Sequence, residues 1–282
     1  VASQSLQPIL ALMGCPVGGN PIQYMVEKAF VHHGLDWRYL SLEISPENLA
    51  DAVRGMKVMG FLGGNCAAPH KETVGLLLDQ LGRTAELTGV VNLIRREDDE
   101  LVGENTEGAA VIDLLGGVGE LDARRAVVLG AGAVARSVAV ELAAAGAAEI
   151  TVVDRVEARA AELSELIAGK LNVAASAVAW EQDYSIPPET DLVIEATSAA
   201  ERDPDARIAV ALDSLTPRLT VVDTTIDPPR TWFLDEARSR GCRTLDGVTI
   251  FTNQVLLDFR TWTGAEPDRA VLREAIEEFL EL

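Results

Sequence analysis

Val127-Val128-Leu129-Gly130-Ala131-Gly132-Ala133-Val134-Ala135-Arg136 is the stretch that decides the fold. An apolar run ends in Gly-x-Gly-x-x-Ala, and an apolar, alanine-rich segment, 138–145, follows. That order reads as strand, tight turn, helix. Gly130 permits the sharp turn, Gly132 leaves no side chain between the backbone and a pyrophosphate, and Ala135 lets the helix pack close to the strand. Phosphates would then face the amides and the positive end of the new helix, which makes Gly130, Ala131, Gly132, Ala133 and Ala135 candidate nucleotide contacts. A second apolar strand, 149–153, ends in Asp154, roughly twenty residues after the turn, where an acid accepts from a ribose hydroxyl. Gly-x-Gly also occurs in ordinary turns, so the alternative is a Rossmann-like domain that binds no nucleotide.

Outward from that stretch, the 282 residues suffice for two domains. The chain is 48% hydrophobic and 24% charged, as a globular protein with substantial cores requires, and no apolar run approaches the length of a membrane helix. It opens on Val1, not Met, which fits trimming from a longer chain, and no charged-then-apolar leader suggests a secretory signal. Asp and Glu number 44 against 24 Lys and Arg, a net charge of -20 that argues against nucleic acid or an anionic membrane as partner. Any anionic substrate must therefore be drawn in by local groups. Cys15, Cys66 and Cys242 are widely spaced, there is no Cys-x-x-Cys pair, and His32, His33 and His70 are the only histidines. No metal site is expected, and a reducing cytoplasmic compartment fits.

Strand and helix signals alternate from the start, so the first part is also α/β. A strand over 8–13 runs into the shaped loop Gly18-Gly19-Asn20-Pro21, and Ser45-Pro46-Glu47 reads as a helix start with Ser45 as cap. Phe61 and Leu62 belong to a buried strand ending at Gly63-Gly64-Asn65. Pro69-His70-Lys71, followed by Val74, Leu77, Leu78 and Leu81, places Lys71 in the first turn of a helix. A macrodipole there disfavours the cation and lowers its pKa toward acid–base range; the plain alternative is a solvated lysine opening a surface helix. Cys66 reads as a packed small residue, since no base adjoins it. Glu107 opens another helix, either as a functional acid or as a simple N-terminal one.

Asn65-x-x-x-Pro69-His70-Lys71, Val90-Val91-Asn92, Asn105-Thr106-Glu107-Gly108, Gly130-Ala131-Gly132, Asp246-Gly247…Gln254 and Trp262-Thr263-Gly264 recur in an order that resembles the shikimate/quinate dehydrogenase family over nearly the whole chain. The resemblance implies a two-domain α/β fold in which a Rossmann-like nucleotide domain is inserted between the two parts of an N-terminal α/β catalytic domain. Residues 1–106 would bind substrate, 107–245 the dinucleotide, and 246–282 would return to the first domain, with the substrate in the cleft between the domains. It implies an NAD(P)-dependent oxidoreductase moving hydride between nicotinamide and a secondary alcohol or ketone of shikimate (3-dehydroshikimate) or a related cyclic hydroxy acid. Carried over residue by residue, Lys71 and Glu107 are the catalytic pair, and Asn20, Asn65, Asn92 and Gln254 contact substrate. Asp154, Arg155, Thr197 and Gly247 join the glycine turn at the cofactor. NAD is the expected cofactor, with NADP the alternative, because Asp154 repels a 2′-phosphate while Arg155 partly offsets it. A monomer or homodimer is expected.

The departures from the family bear on the substrate. Gly18-Gly19-Asn20-Pro21 stands where the family places a Ser-x-Ser-Pro segment that holds a carboxylate. Ala67 and Ala68 replace a familiar threonine, Ile226 a tyrosine, and Glu107 an aspartate. Two rival readings follow: a divergent branch acting on another cyclic substrate, and a nucleotide-binding regulatory protein without turnover.

Overall fold

The computed structural model describes residues 7–116, 121 and 124–282, so Val1 lies outside them. The chain divides into two compact units, one formed by the residues up to Thr106 with Thr252–Leu282, the other by Glu107–Phe251. The second division point falls inside the helix Gly247–Thr263, not in front of it at 246. Among the described residues no helix is long and apolar enough to cross a membrane.

The first unit holds β1 (Ile9–Gly14), β2 (Arg38–Glu43), β3 (Gly63–Cys66), β4 (Gln80–Leu81), β5 (Leu93–Glu97) and β6 (Glu100–Glu104), in the order β2-β1-β3-β5-β6-β4. β1 runs parallel to β2 and β3, and β5 pairs antiparallel with β3 and β6. The central strand β3 corrects the expectation of a strand over Phe61 and Leu62. It begins on the glycines themselves, at φ +141° for Gly63 and +154° for Gly64, a backbone that side chains rarely allow. A Cβ on Gly64 would lie 1.7 Å from the Ala11 carbonyl oxygen, and one on Gly63 2.1 Å from that of Ile94. Glycine is required there because neighbouring backbone occupies both places.

The helix expected after Pro69 does not form. His70–Glu72 and Val74–Leu77 are separate 3-10 turns, and Leu76 is 88% exposed. An α-helix needs the Lys71 carbonyl for the amide four residues on, but Val91 N takes it, at 2.8 Å. The dipole argument for Lys71 therefore falls. Ser45 does not cap either; its Oγ accepts from Asn48 Nδ2 at 2.9 Å instead, within the 3-10 turn Pro46–Asn48. The helix Gly247–Thr263 is held to the first one, Ile22–His32, by Phe259 against Phe30, ring centroids 5.7 Å apart. Burying each ring contributes roughly 1.5–3 kcal/mol.

The second unit holds β7 (Arg125–Leu129), β8 (Glu149–Asp154), β9 (Ala174–Ala179), β10 (Leu192–Glu195), β11 (Thr220–Asp223) and β12 (Arg243–Leu245). All pairings are parallel, in the order β12-β11-β10-β7-β8-β9. The order reverses between β7 and β10, the crevice where doubly wound sheets take ligands. Val127, Leu129, Val193 and Val221 pack with Phe233 and Leu234 in a core beneath it. This apolar content is what a sheet covered on both faces demands.

Candidate active site

In the second unit, β7 ends at Leu129 and the chain turns through Gly130 at φ +103° into the helix Ala133–Ala144. A Cβ on Gly130 would meet the Ala196 carbonyl oxygen at 2.9 Å, whereas one on Gly132 would meet nothing within 4 Å. Gly130 is thus required by the neighbouring loop, while Gly132 leaves open room at a helix N-terminus. That cradle fits a pyrophosphate, which would sit on the amides there. Ala135 is fully buried beneath it.

Asp154, at the end of β8, accepts from Ala131 N at 2.8 Å through Oδ2 and from Val156 N at 2.7 Å through Oδ1. It therefore joins the glycine turn to its own loop, and Arg155 beside it is exposed. Gly247 has a packing reason of its own, since a Cβ would lie 1.9 Å from the Thr225 carbonyl oxygen.

Beside the turn, Glu195 and Asp223 are register partners at the ends of β10 and β11, each 1% exposed. Asp223 accepts from Thr225 N at 2.9 Å and Thr231 Oγ1 at 2.6 Å. Glu195 Oε1 accepts from Thr197 through both N, at 2.9 Å, and Oγ1. Burial, with the Asp223 charge second, pushes the Glu195 carboxyl well above its usual range. That shift favours the protonated form of Glu195 beside Asp223; Glu195 holds the Thr197 loop, and Asp223 holds Thr225 and Thr231. Motif reading found Thr197 but neither acid, because the pairing exists only once two strands 28 residues apart in the register align.

In the first unit, Asn65 and Asn92 come together and are enclosed, at 3% and 1% exposure. Asn65 Oδ1 accepts from the Tyr39 hydroxyl at 2.7 Å, and its Nδ2 donates to Asn92 O at 3.1 Å and Asp258 Oδ2 at 2.8 Å. Asn92 Nδ2 donates to Thr106 Oγ1 at 2.8 Å, and its Oδ1 accepts from Thr106 N at 2.7 Å. Thr106 Oγ1 donates onward to Asp258 Oδ1 at 2.6 Å. Burial first, and the Asp258 charge second, push the Tyr39 phenol well up, so it stays a donor. Sequence motifs include Thr106 without assigning it this role, and they contain neither Tyr39 nor Asp258. The available signal was one acid inside Val255-Leu256-Leu257-Asp258-Phe259, a turn beyond Gln254 and on the same helix face.

Lys71 is half-buried on its 3-10 turn, with its carbonyl bound to Val91 N, next to Asn92. The preceding His70 is buried, and its Nε2 donates to Ile44 O at 2.7 Å, which fixes the tautomer. Burial pushes the Cys66 thiol up to about 12 against the pull of the Lys71 charge, so Cys66 is packing and not a nucleophile. Asn20 Oδ1 accepts from Ile22 N at 3.0 Å, which commits its oxygen to the helix start and leaves its amide as a donor. Gly18 and Gly19 have open space where a Cβ would stand. The end of β1, ahead of that loop, lies against the alanines: Cys15 N donates to Ala68 O at 3.0 Å and Ala67 N to Met13 O at 2.8 Å. Glu107, in the other unit, is buried and opens the helix Glu107–Leu114, where the dipole favours a carboxylate. Among the described residues no group of three or more His, Cys, Asp or Glu stands ready to hold a metal ion.

Residues 12–94 match the shikimate dehydrogenase substrate-binding domain, and residues 115–224 match shikimate / quinate 5-dehydrogenase. A shikimate dehydrogenase (NADP(+)) from Methanopyrus kandleri is 37% identical, over 96% of each chain. The chain belongs to the shikimate/quinate dehydrogenase family. Among solved structures, the 5-ketofructose reductase of Gluconobacter sp. strain CHM43 is 39% identical, with a TM-score of 0.92 over 97% of this chain and 99% of that one. The shikimate 5-dehydrogenase of Listeria monocytogenes, in complex with shikimate and NAD, is 26% identical, with a TM-score of 0.87 over 97% and 98%.

Proposed function

We propose that the chain is an NAD(P)-dependent dehydrogenase that moves hydride between nicotinamide and a secondary alcohol or ketone of shikimate or a related cyclic hydroxy compound. The observation that carries the reading is the full-length kinship to relatives named for this reaction, with the acid–base group the reaction needs retained at Lys71. A bound nicotinamide would supply or accept the hydride. Gly132 and the helix behind it would hold the pyrophosphate, and Asp154 the ribose. Lys71 takes the hydroxyl proton in oxidation and stabilises the developing alkoxide, with Glu107 as the carboxylate of the pair. Asn20, Asn92 and Gln254 orient the substrate.

A second reading, an uncharged polyhydroxy ketone as substrate, is favoured by one specific feature. Gly18, Gly19, Ala67 and Ala68 offer no hydroxyl or cationic side chain, and Asn20 offers only its amide. A carboxylate entering a protein of net charge -20 needs dedicated donors, each charge-assisted bond being worth roughly 1.5–3 kcal/mol. The similar reductase named for 5-ketofructose points the same way. Steady-state kinetics with shikimate, quinate, their carboxamides and 5-ketofructose separates the readings. A low Michaelis constant for shikimate with rapid turnover rejects the second. No turnover on any of them with NAD or NADP rejects both.

A further inference from the structure

Asp258 is fully enclosed, yet no part of the proposed reaction uses it. It lies at the origin of a closed ring of hydrogen bonds whose direction it dictates. A carboxylate only accepts. Thr106 Oγ1 must therefore give its one hydrogen to Asp258, and accept from Asn92 Nδ2. Asn92 Oδ1 is then turned to Thr106 N, and Asn92 keeps one amide hydrogen beyond the ring. On the other side Asn65 Nδ2 spends both its hydrogens, on Asp258 and on Asn92 O, and Cys66 N donates to the same carbonyl at 2.9 Å. A flipped Asn65 would set its oxygen against two acceptors. The amide thus has one allowed orientation, and it can offer an incoming molecule an acceptor but no donor.

We propose that Asp258 is a positioning residue that sets the orientation of Asn65, Asn92 and Thr106, and that Asn65 serves this scaffold instead of donating to the substrate. The claim rests on the proposed dehydrogenase reading for what the asparagines face, though not for how they are held. It also revises the expectation that Asn65 makes an ordinary substrate contact.

Asp258→Asn is the sharp variant, because it keeps the volume and changes only direction. An amide at 258 must present its donor either to Asn65 Nδ2, which is itself a donor, or to Thr106, whose hydrogen is then left without a receiver. With a substrate that the wild type turns over, kcat/KM should fall on the order of tenfold to a hundredfold, since small misplacements near the reacting groups cost that much. The loss should be carried by KM, with nucleotide affinity unchanged in a fluorescence titration. Adding Asn65→Ala to Asp258→Asn should cost little more than either change alone. A role confined to stability would lower the melting temperature and leave kcat/KM intact well below it. In 15N-labelled protein the Asn65 side-chain amide hydrogens should be protected from exchange in the wild type and exposed to it in Asp258→Asn. Wild-type kinetics in the variant, or undiminished protection of Asn65, overturns the proposal. If the wild type reduces or oxidises nothing on the panel, the dehydrogenase reading fails, and the exchange measurement alone decides the positioning claim.

Discussion

Asp258 in the first unit and Glu195 in the second are both almost wholly removed from water, but their partners differ in kind. Asp258 meets neutral donors, the amide of Asn65 and the hydroxyl of Thr106. Glu195 meets the hydroxyl and amide of Thr197 and, beside them, a second carboxyl, that of Asp223. An acid supplied with donors imposes direction on everything around it. An acid set against another acid must hold a proton to stay inside, and so carries a pH dependence with it. The first unit therefore reads as a rigid polar frame, the second as a frame that titrates.

The hardest blow to the rigid side is Gly64→Ala. The added carbon has no place beside Ala11 backbone on a central strand, so β1 and β3 must separate. A loss above about 4 kcal/mol is expected, the range reserved for broken backbone packing. Denaturant unfolding or soluble yield measures it, and a variant within about 1 kcal/mol of wild type contradicts the account of β3. Gly132→Ala supplies the contrast. Its carbon enters open space, so the fold should survive while nucleotide affinity drops.

Lys71→Met tests whether chemistry and cofactor binding separate between the units. Removing a positioned acid–base group typically costs about a hundredfold to ten-thousandfold in rate. Nucleotide affinity should be nearly unchanged, because Lys71 belongs to the first unit and the glycine turn to the second. Retention of more than about a third of wild-type activity on the true substrate removes Lys71 from the mechanism.

How much of this was legible beforehand follows from the range of each interaction. The glycine turn at Gly130 and Gly132 was plain in the sequence because its strand, turn and helix are contiguous. β3 was misplaced by two residues at its start, because glycine weakens strand propensity and only the contact with Ala11 and Ile94 explains it. The helix after Pro69 was expected from apolar spacing, but a carbonyl needed for its ladder is taken by Val91, twenty residues on. The ring at Asn65 joins residues 193 positions apart, beyond any local pattern. Asn65 is legible by its motif, whereas its bond to Asp258 has no local signal.

The titrating side is tested by Glu195→Gln. The folded pKa of Glu195 lies above its ordinary value of 4.5, so the native state keeps a proton that the unfolded chain releases above that pH. Its contribution to stability is complete below that ordinary value and is lost as the pH rises toward the raised one, by up to about 1.4 kcal/mol per pH unit. Glutamine provides the donor without the proton. The variant should melt at a higher temperature than wild type at about pH 8, and the difference should shrink toward about pH 5. Melting curves that run parallel across that range would show that no proton is shared.

The smallest expected effect concerns which dinucleotide the second unit prefers. Asp154 is pinned at the rim of the glycine turn by Ala131 N and Val156 N, so its charge cannot swing away from an arriving nucleotide. Each carboxylate oxygen keeps a lone pair for a ribose hydroxyl, but a 2′-phosphate brings nearly two negative charges toward it. Arg155 next to it is exposed and offsets part of that repulsion, as a solvent-screened charge does. NAD should therefore give the higher kcat/KM, although the Methanopyrus kandleri relative is named for NADP(+). Asp154→Asn should narrow the preference by about tenfold, the equivalent of about 1.4 kcal/mol, because the acceptor remains and the charge goes. Raising the salt concentration should narrow it in the wild type as well, since the repulsion acts at a half-open site. An efficiency with NADP at least equal to that with NAD, in the unaltered protein, would mean that Arg155 and not Asp154 governs the choice.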